Sequence, residues 1–346
     1  MNKTALSQLI KSLPKADLHL HLEGAVTPSI LKSLAERYGS ELAKKDESEI
    51  ESELFRIKNR DDLDHVRRQI GSHLRKPEDY LLVLDEIYRN MSEQNIVYAE
   101  VFFSPGARWK MGLEAEEVLE ALLEKSARIE EEGGPAVRWI LNCLRNLGPE
   151  SARKTIDLAI RFREKGVVAV GLGGSDRKFS PEKFSKIFAW AKVQGLFIHV
   201  HSGETDDPLE VQEALEILGA NRIGHGIQAA RDPKLMKCLR DRATGLDICL
   251  TGNALTGAWK HTQSHPFSLL WKRGVPVSLS TDNPGIFNCT LSGELEKAVD
   301  KFGLTLPEIK KLCLRSISVS FLPYEKKMKL MQKFGDSISA IFTSLQ

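Results

Sequence analysis

The chain has 346 residues, 42% hydrophobic and 28% charged, with a formal net charge of +2 at pH 7. That composition fits a soluble globular protein with a full core, and a nearly balanced charge gives no electrostatic footprint for nucleic acid or a membrane surface. No segment approaches the roughly 18 apolar residues of a transmembrane helix.

The N-terminal MNKTALSQLIKSLPK lacks the apolar core of a signal peptide. Cys143, Cys238, Cys249, Cys289 and Cys313 are dispersed without C-x-x-C spacing. A reducing, cytoplasmic setting is expected, and a cysteine-rich zinc site is not.

The first strand-like run, ADLHLHL (16–22), carries His19 and His21 two residues apart. Side chains alternate across a strand, so both imidazoles point to one face and can reach a single point. The ordinary alternative is a half-buried strand with two histidines on its polar face.

Residues 29–95 then read as several inserted helices, with ELAKKDESEIESEL (41–54) a solvated helix face. Strand-like runs resume with IVYAEVFFS (96–104), AVRWILNCL (136–144) and GVVAVGLG (166–173). They continue with LFIHVHSG (196–203), NRIGHG (221–226), GLDICLT (245–251) and VPVSLSTD (275–282). Helical stretches lie between them. SPEKFSKIFAWAKVQG (180–195) offers Ser180 as N-cap, Pro181 at the first turn and Gly195 as stop. DPLEVQEALEILGA (207–220) places Val211, Ala214, Leu215 and Leu218 on one apolar stripe.

Strands alternating with helices mean a parallel sheet, and eight such units make a (β/α)8 TIM barrel. The expectation is one barrel domain over 1–346, with the insertion at about 29–95 and closing helices after Asp282. A doubly wound open sheet is the alternative.

In such a barrel, functional residues sit at the C-terminal ends of the strands. Those ends carry His19, His21 and Glu23, then His199, His201 and Glu204, then His225, then Asp282 and Asn283. His65 and His73 read as surface residues of the insertion, and His261 and His265 as loop or cap residues. His199 shares a face with His201 and is expected to support it or to lie in the core.

His19, His21, His201 and Asp282 would supply three nitrogens and an oxygen. That donor set suits zinc with a position kept for water, though iron or cobalt could use it. Such a metal lowers the pKa of water to about 7. Glu204 can move the proton, and His225 can stabilise developing charge.

At these residues the chain resembles the adenosine deaminase family of the amidohydrolase superfamily. The matching stretches are KADLHLHLEGA (15–25), VYAEVFFSP (97–105), VVAVGLGGSD (167–176), HSGE (201–204), RIGHG (222–226) and SLSTDNPGIF (278–287). The resemblance implies one zinc on His19, His21, His201 and Asp282. It also implies proton delivery to purine N1 by Glu204, and orientation of the nucleophile by His225. Gly174 matches the glycine whose N–H contacts purine N3. The end of the fourth strand has no lysine before Lys178, against a second metal.

Three positions depart from adenosine deaminases. Glu23 stands where an aspartate reaches the ribose 5′-hydroxyl, and Phe102, followed by Phe103, where many carry arginine. Asn283 stands where a second aspartate serves purine N7; an amide always has a hydrogen to donate, whereas a carboxyl donates only when protonated.

The resemblance thus points to deamination of a 6-aminopurine, adenosine or 2′-deoxyadenosine first. Adenine and aminofutalosine are the alternatives, and Glu23, Phe102 and Phe103 are expected to line the ribose end. A catalytically silent ligand-binding barrel is the alternative from another class. Oligomeric state is not legible.

Overall fold

The computed structural model describes residues 3–174, 180–205, 207–259 and 265–343. Helix α1 (Lys3–Ser12) leads into β1 (Lys15–His21). The insertion follows as α2 (Pro28–Tyr38), α3 (Glu47–Leu54), α4 (Arg60–His73) and α5 (Pro77–Glu93). The remaining strands are β2 (Ile96–Phe103), β3 (Ala136–Leu144), β4 (Val167–Gly173), β5 (Phe197–Ser202), β6 (Arg222–His225), β7 (Gly245–Ile248) and β8 (Val277–Leu279).

All eight pair in parallel, in chain order. The ring closes because the His21 N–H donates to the Asp282 carbonyl at 2.8 Å and the Asp282 N–H to the His19 carbonyl at 2.7 Å. This is the TIM barrel of the sequence reading, and it excludes the open sheet. Strands buried on both faces account for near-continuous apolar runs such as AVRWIL.

Strand positions agree with the sequence to within a few residues. The exceptions are the far ends of β7 and β8, which stop at Ile248 and Leu279. There the regular strands end, and the residues beyond carry the polar groups of the rim. The helix expected over 180–195 runs Glu182–Val193, with Pro181 rather than Ser180 at its cap. The stripe Val211, Ala214, Leu215 and Leu218 is buried as expected.

The run 41–54 is not one helix. A short 3-10 turn (Glu41–Lys44) ends before Asp46, whose carboxylate accepts from the Glu49 N–H and starts α3 afresh as a capping box. Its faces are otherwise solvated, with Ile50 buried.

The barrel interior holds a buried ionic network. Arg222 Nε donates to Asp247 Oδ2 at 2.6 Å, and its Nη2 pairs with Glu100 and donates to the Leu18 carbonyl at 3.0 Å. All three charged residues are fully buried. Such a group is stable only when every charge is paired and hydrogen-bonded. Among the described residues no helix is long and apolar enough to cross a membrane.

Candidate metal centre and active site

His19 and His21 project from β1 and His201 from the end of β5, with Asp282 just past β8. Nε2 of His21 lies 3.1 Å from Nε2 of His201, and Asp282 Oδ1 is 3.4 Å from His21 Nε2 and 3.8 Å from His19 Nε2. Asp282 takes a left-handed backbone, φ 62°, rare for a residue with a side chain. The turn it makes carries the chain off the sheet at the rim.

Burial is the first cause that pushes all three histidines well below their usual range, so each is neutral with a lone pair to offer. Both nitrogens of His19 and Nδ1 of His201 are buried without a hydrogen-bond partner among the described residues. Spacings of this size match the edges of a tetrahedron with ligand bonds of about 2.0–2.1 Å. The residues therefore fit a zinc-type ion.

Beneath the ligands, His199 Nε2 donates to Asp247 Oδ2 at 2.9 Å, and His19 Nδ1 lies 3.9 Å from the same oxygen. His199 thus has the supporting position expected of it. Although His19, His199 and Asp247 also cluster within ligand range of one another, Arg222 already occupies that carboxylate.

Phe102 is not at the ribose end. It is fully buried, stacked on His21 at 4.8 Å and against His19 at 4.9 Å. Tyr98, Glu100 and Phe102 share the inward face of β2, and that alternation sends Phe102 under the imidazoles. Phe103 is buried on the other face, against Tyr80.

Glu204 and His225 meet at the rim, with 3.6 Å between Oε1 and Nε2. α4 lies across them and brings two arginines seven residues apart on one helix face. Arg60 Nη1 donates to Glu204 Oε1 at 2.8 Å, and Arg67 Nη2 to Asn283 Oδ1 at 2.9 Å. Burial would raise the Glu204 pKa, but Arg60 and then His225 outweigh it and hold the carboxyl at about 2. Gly24 is packed against Asn283: a Cβ there would come within 2.4 Å of Oδ1.

Glu23 is half-buried in the turn after β1, and Gly174 directly follows β4 with φ 104°. His65 is exposed as expected, and His261 lies outside the described residues. His73 is buried and bonded to Ser40 Oγ at 2.8 Å and the Gln69 carbonyl at 2.7 Å, so it ties the insertion together. His265 is buried too, 3.3 Å from Asn253, whose amide reaches His225. Arg60, Arg67 and Asn253 escaped the sequence reading, whereas His265, expected as a loop or cap residue, does precede a helix and accepts from its Phe267 N–H. The spacing of the arginines was the one signal for any of the three.

A parallel barrel with neutral imidazoles and a carboxylate converging at its C-terminal rim is the framework of a metal-dependent hydrolase. The family model for adenosine deaminase matches residues 14–337, and the chain belongs to the adenosine deaminase family. It is a metal-dependent aminopurine deaminase, a hydrolase acting on cyclic amidines.

It is 32% identical to the aminodeoxyfutalosine deaminase of Streptomyces coelicolor over 98% of this chain and 88% of that one. It is 29% identical to the adenosine deaminase of Clostridium botulinum over 92% and 98%. The solved adenine deaminase of Arthrobacter aurescens superposes with a TM-score of 0.88 at 25% identity, covering 94% of this chain and 99% of that one.

Proposed function

We propose that the barrel and its insertion form one catalytic domain that deaminates an adenine nucleoside hydrolytically. Adenosine or 2′-deoxyadenosine would give inosine or 2′-deoxyinosine and ammonia, with one zinc held by His19, His21, His201 and Asp282. The observation that carries the reading is the approach of Glu204 to His225 at 3.6 Å, with Asn283 directly after Asp282 and held, like Glu204, by an arginine of α4.

Zinc, when bound, supplies Lewis acidity and ionises water near neutral pH. Glu204 then moves a proton to purine N1, and His225 donates toward the oxygen that adds at C6. Asn283 Nδ2, a buried donor without a partner among the described residues, serves N7 in this reading. The Gly174 N–H serves N3 in this reading, and Glu23 the sugar. Arg60 holds the Glu204 carboxyl ionised through Oε1, so that pairing weakens when Glu204 carries a proton to N1.

A second reading, a nucleoside with a large 5′ substituent as in aminodeoxyfutalosine, is supported by α4. It holds Arg60 and Arg67 over the site, cations that suit an anionic substituent better than neutral adenosine. The relative at 32% identity carries that substrate in its name.

Ammonia release from adenosine, adenine and a 5′-extended adenosine, measured in parallel on zinc-loaded protein, separates these readings. Release from adenosine alone supports the first, and release only from the extended nucleoside supports the second. Release from adenine alone leaves Glu23 without a sugar to bind. In any active case Glu204→Gln should lower kcat by about 10²–10⁴-fold. No release from any substrate, with zinc bound, rejects the proposal.

A further inference from the structure

Three buried side chains from three separate elements form a line ending at the rim. His225 closes β6, Asn253 lies in the short helix Leu250–Leu255, and His265 precedes the helix Phe267–Lys272. Their exposures are 2%, 0% and 3%. The described contacts give each a specific polar partner.

The line begins at a group whose polarity cannot change. The backbone N–H of Phe267 donates to His265 Nδ1 at 3.1 Å, so that nitrogen accepts and the ring hydrogen sits on Nε2. His265 Nε2 is 3.3 Å from Asn253 Oδ1 and donates to it. The other arm of the amide, Nδ2, is 3.1 Å from His225 Nδ1. An amide nitrogen only donates, so His225 Nδ1 accepts and its hydrogen lies on Nε2. Nε2 is the atom that faces Glu204.

We propose that His265 and Asn253 are positioning residues that lock His225 as the Nε2–H tautomer, a donor toward the reacting oxygen. Proton acceptance then falls to Glu204 alone.

The supports are rigid. The Asn253 N–H is tied to the Cys249 carbonyl at 2.8 Å, and its own carbonyl accepts from Trp259 at 2.8 Å. The His265 ring packs against Trp259 and Phe302, both with centroids at 6.2 Å. Burial holds His265 neutral, with its pKa near 4, which the first link requires.

The role of the donor rests on the function proposed above; the tautomer does not. The first test therefore needs no substrate. In zinc-loaded protein labelled with ¹⁵N-histidine, two-bond ¹H–¹⁵N correlations should show His225 with Nε2 protonated and Nδ1 bare. The signal is assigned by its loss in His225→Gln. A His225 signal with Nδ1 protonated overturns the relay.

Asn253→Asp accepts from both sides and should move the His225 hydrogen to Nδ1. Its kcat should fall about tenfold or more, with KM within about twofold and zinc content unchanged. His265→Gln keeps an N–H for Asn253 and should retain more kcat than His265→Leu. Equal kcat across these variants and the parent overturns the positioning role. If a variant fails to fold, the spectrum of the parent still decides. The expected spectrum in a protein that releases no ammonia from any 6-aminopurine upholds the tautomer and rejects the deaminase reading.

Discussion

Arg67 donates to Asn283 Oδ1 at 2.9 Å, and Asn283 Nδ2 is left buried without a partner among the described residues. A guanidinium cannot accept a hydrogen bond, so Arg67 fixes which way the amide is turned. The free N–H₂ is thereby committed as a donor at every pH. Asn283→Asp would donate only when protonated, so its kcat/KM should fall as pH rises through the carboxyl range and the parent's should not. Asn283→Ala should lose roughly 5- to 150-fold, the cost of about 1–3 kcal/mol for a lost buried hydrogen bond. A pH–rate profile of Asn283→Asp that superposes on the parent's would count against the role of the amide.

Arg60 sits on the carboxylate that the purine needs. Substrate binding must weaken that pairing, so Arg60→Ala should lower KM for adenosine a few-fold. The gain is small because the Arg60 side chain is 40% exposed, and partly solvated ion pairs are worth only about 0.2–1 kcal/mol. For a substrate with an anionic 5′ group, the same variant should raise KM. Steady-state kinetics on both substrates reads the sign directly, and a KM unmoved for both would remove Arg60 from the site.

Gly224, in the RIGHG stretch, lies where a side chain would meet two imidazoles. A Cβ there would fall 2.6 Å from His19 Cε1 and 2.8 Å from His199 Cε1. Gly224→Ala must push a ligand and its support apart. Zinc affinity should drop by about 10–100-fold, the range for disturbed support of metal ligands. Competition with a chelating dye measures it, and parental affinity would show that the strand has slack.

Acid should destabilise the metal-free protein. Burial drives His19, His21, His199 and His201 well below 6.5 and His265 to about 4. The folded state holds them neutral while the unfolded chain takes up protons below about 6.5. Their contribution to stability is thus complete above that pH and is lost as pH falls toward 4, at up to about 1.4 kcal/mol per proton per pH unit. Burial raises Asp17, to about 7, and also Asp247 and Asp282. Carboxyls raised in this way take up protons at a higher pH in the folded state than in the unfolded chain and oppose the trend, but five histidines outweigh three acids. Thermal unfolding in chelator should therefore weaken from pH 7 to 5, and bound zinc should steepen the slope because protons compete for its ligands. A melting temperature that rises on acidification would refute this balance.

Much of the site was legible from two regularities, the period of two along strands and the placement of function at their C-terminal ends. These brought out His19 with His21, His201, His225 and Asp282. Phe102 shows the limit of the same reading. Its motif position suggested the ribose, but its inward face placed it under the ligands. His73 lies in polar local sequence and reads as surface, and His265 reads as a loop or cap residue; both are buried with polar partners.

The sequence by itself determined the order of strands and helices, the barrel they close and the histidines and aspartate presented at its rim. Those features follow from local periodicity and from residues that each strand presents on its own. Only the tertiary structure decided how α4 docks, and so that Arg60 and Arg67 reach Glu204 and Asn283. It alone joined His265 to His225 through Asn253, and set Arg222 between Glu100 and Asp247. These pairings link residues 12 to 216 positions apart. Their geometry is fixed by how whole elements pack, which no local pattern encodes.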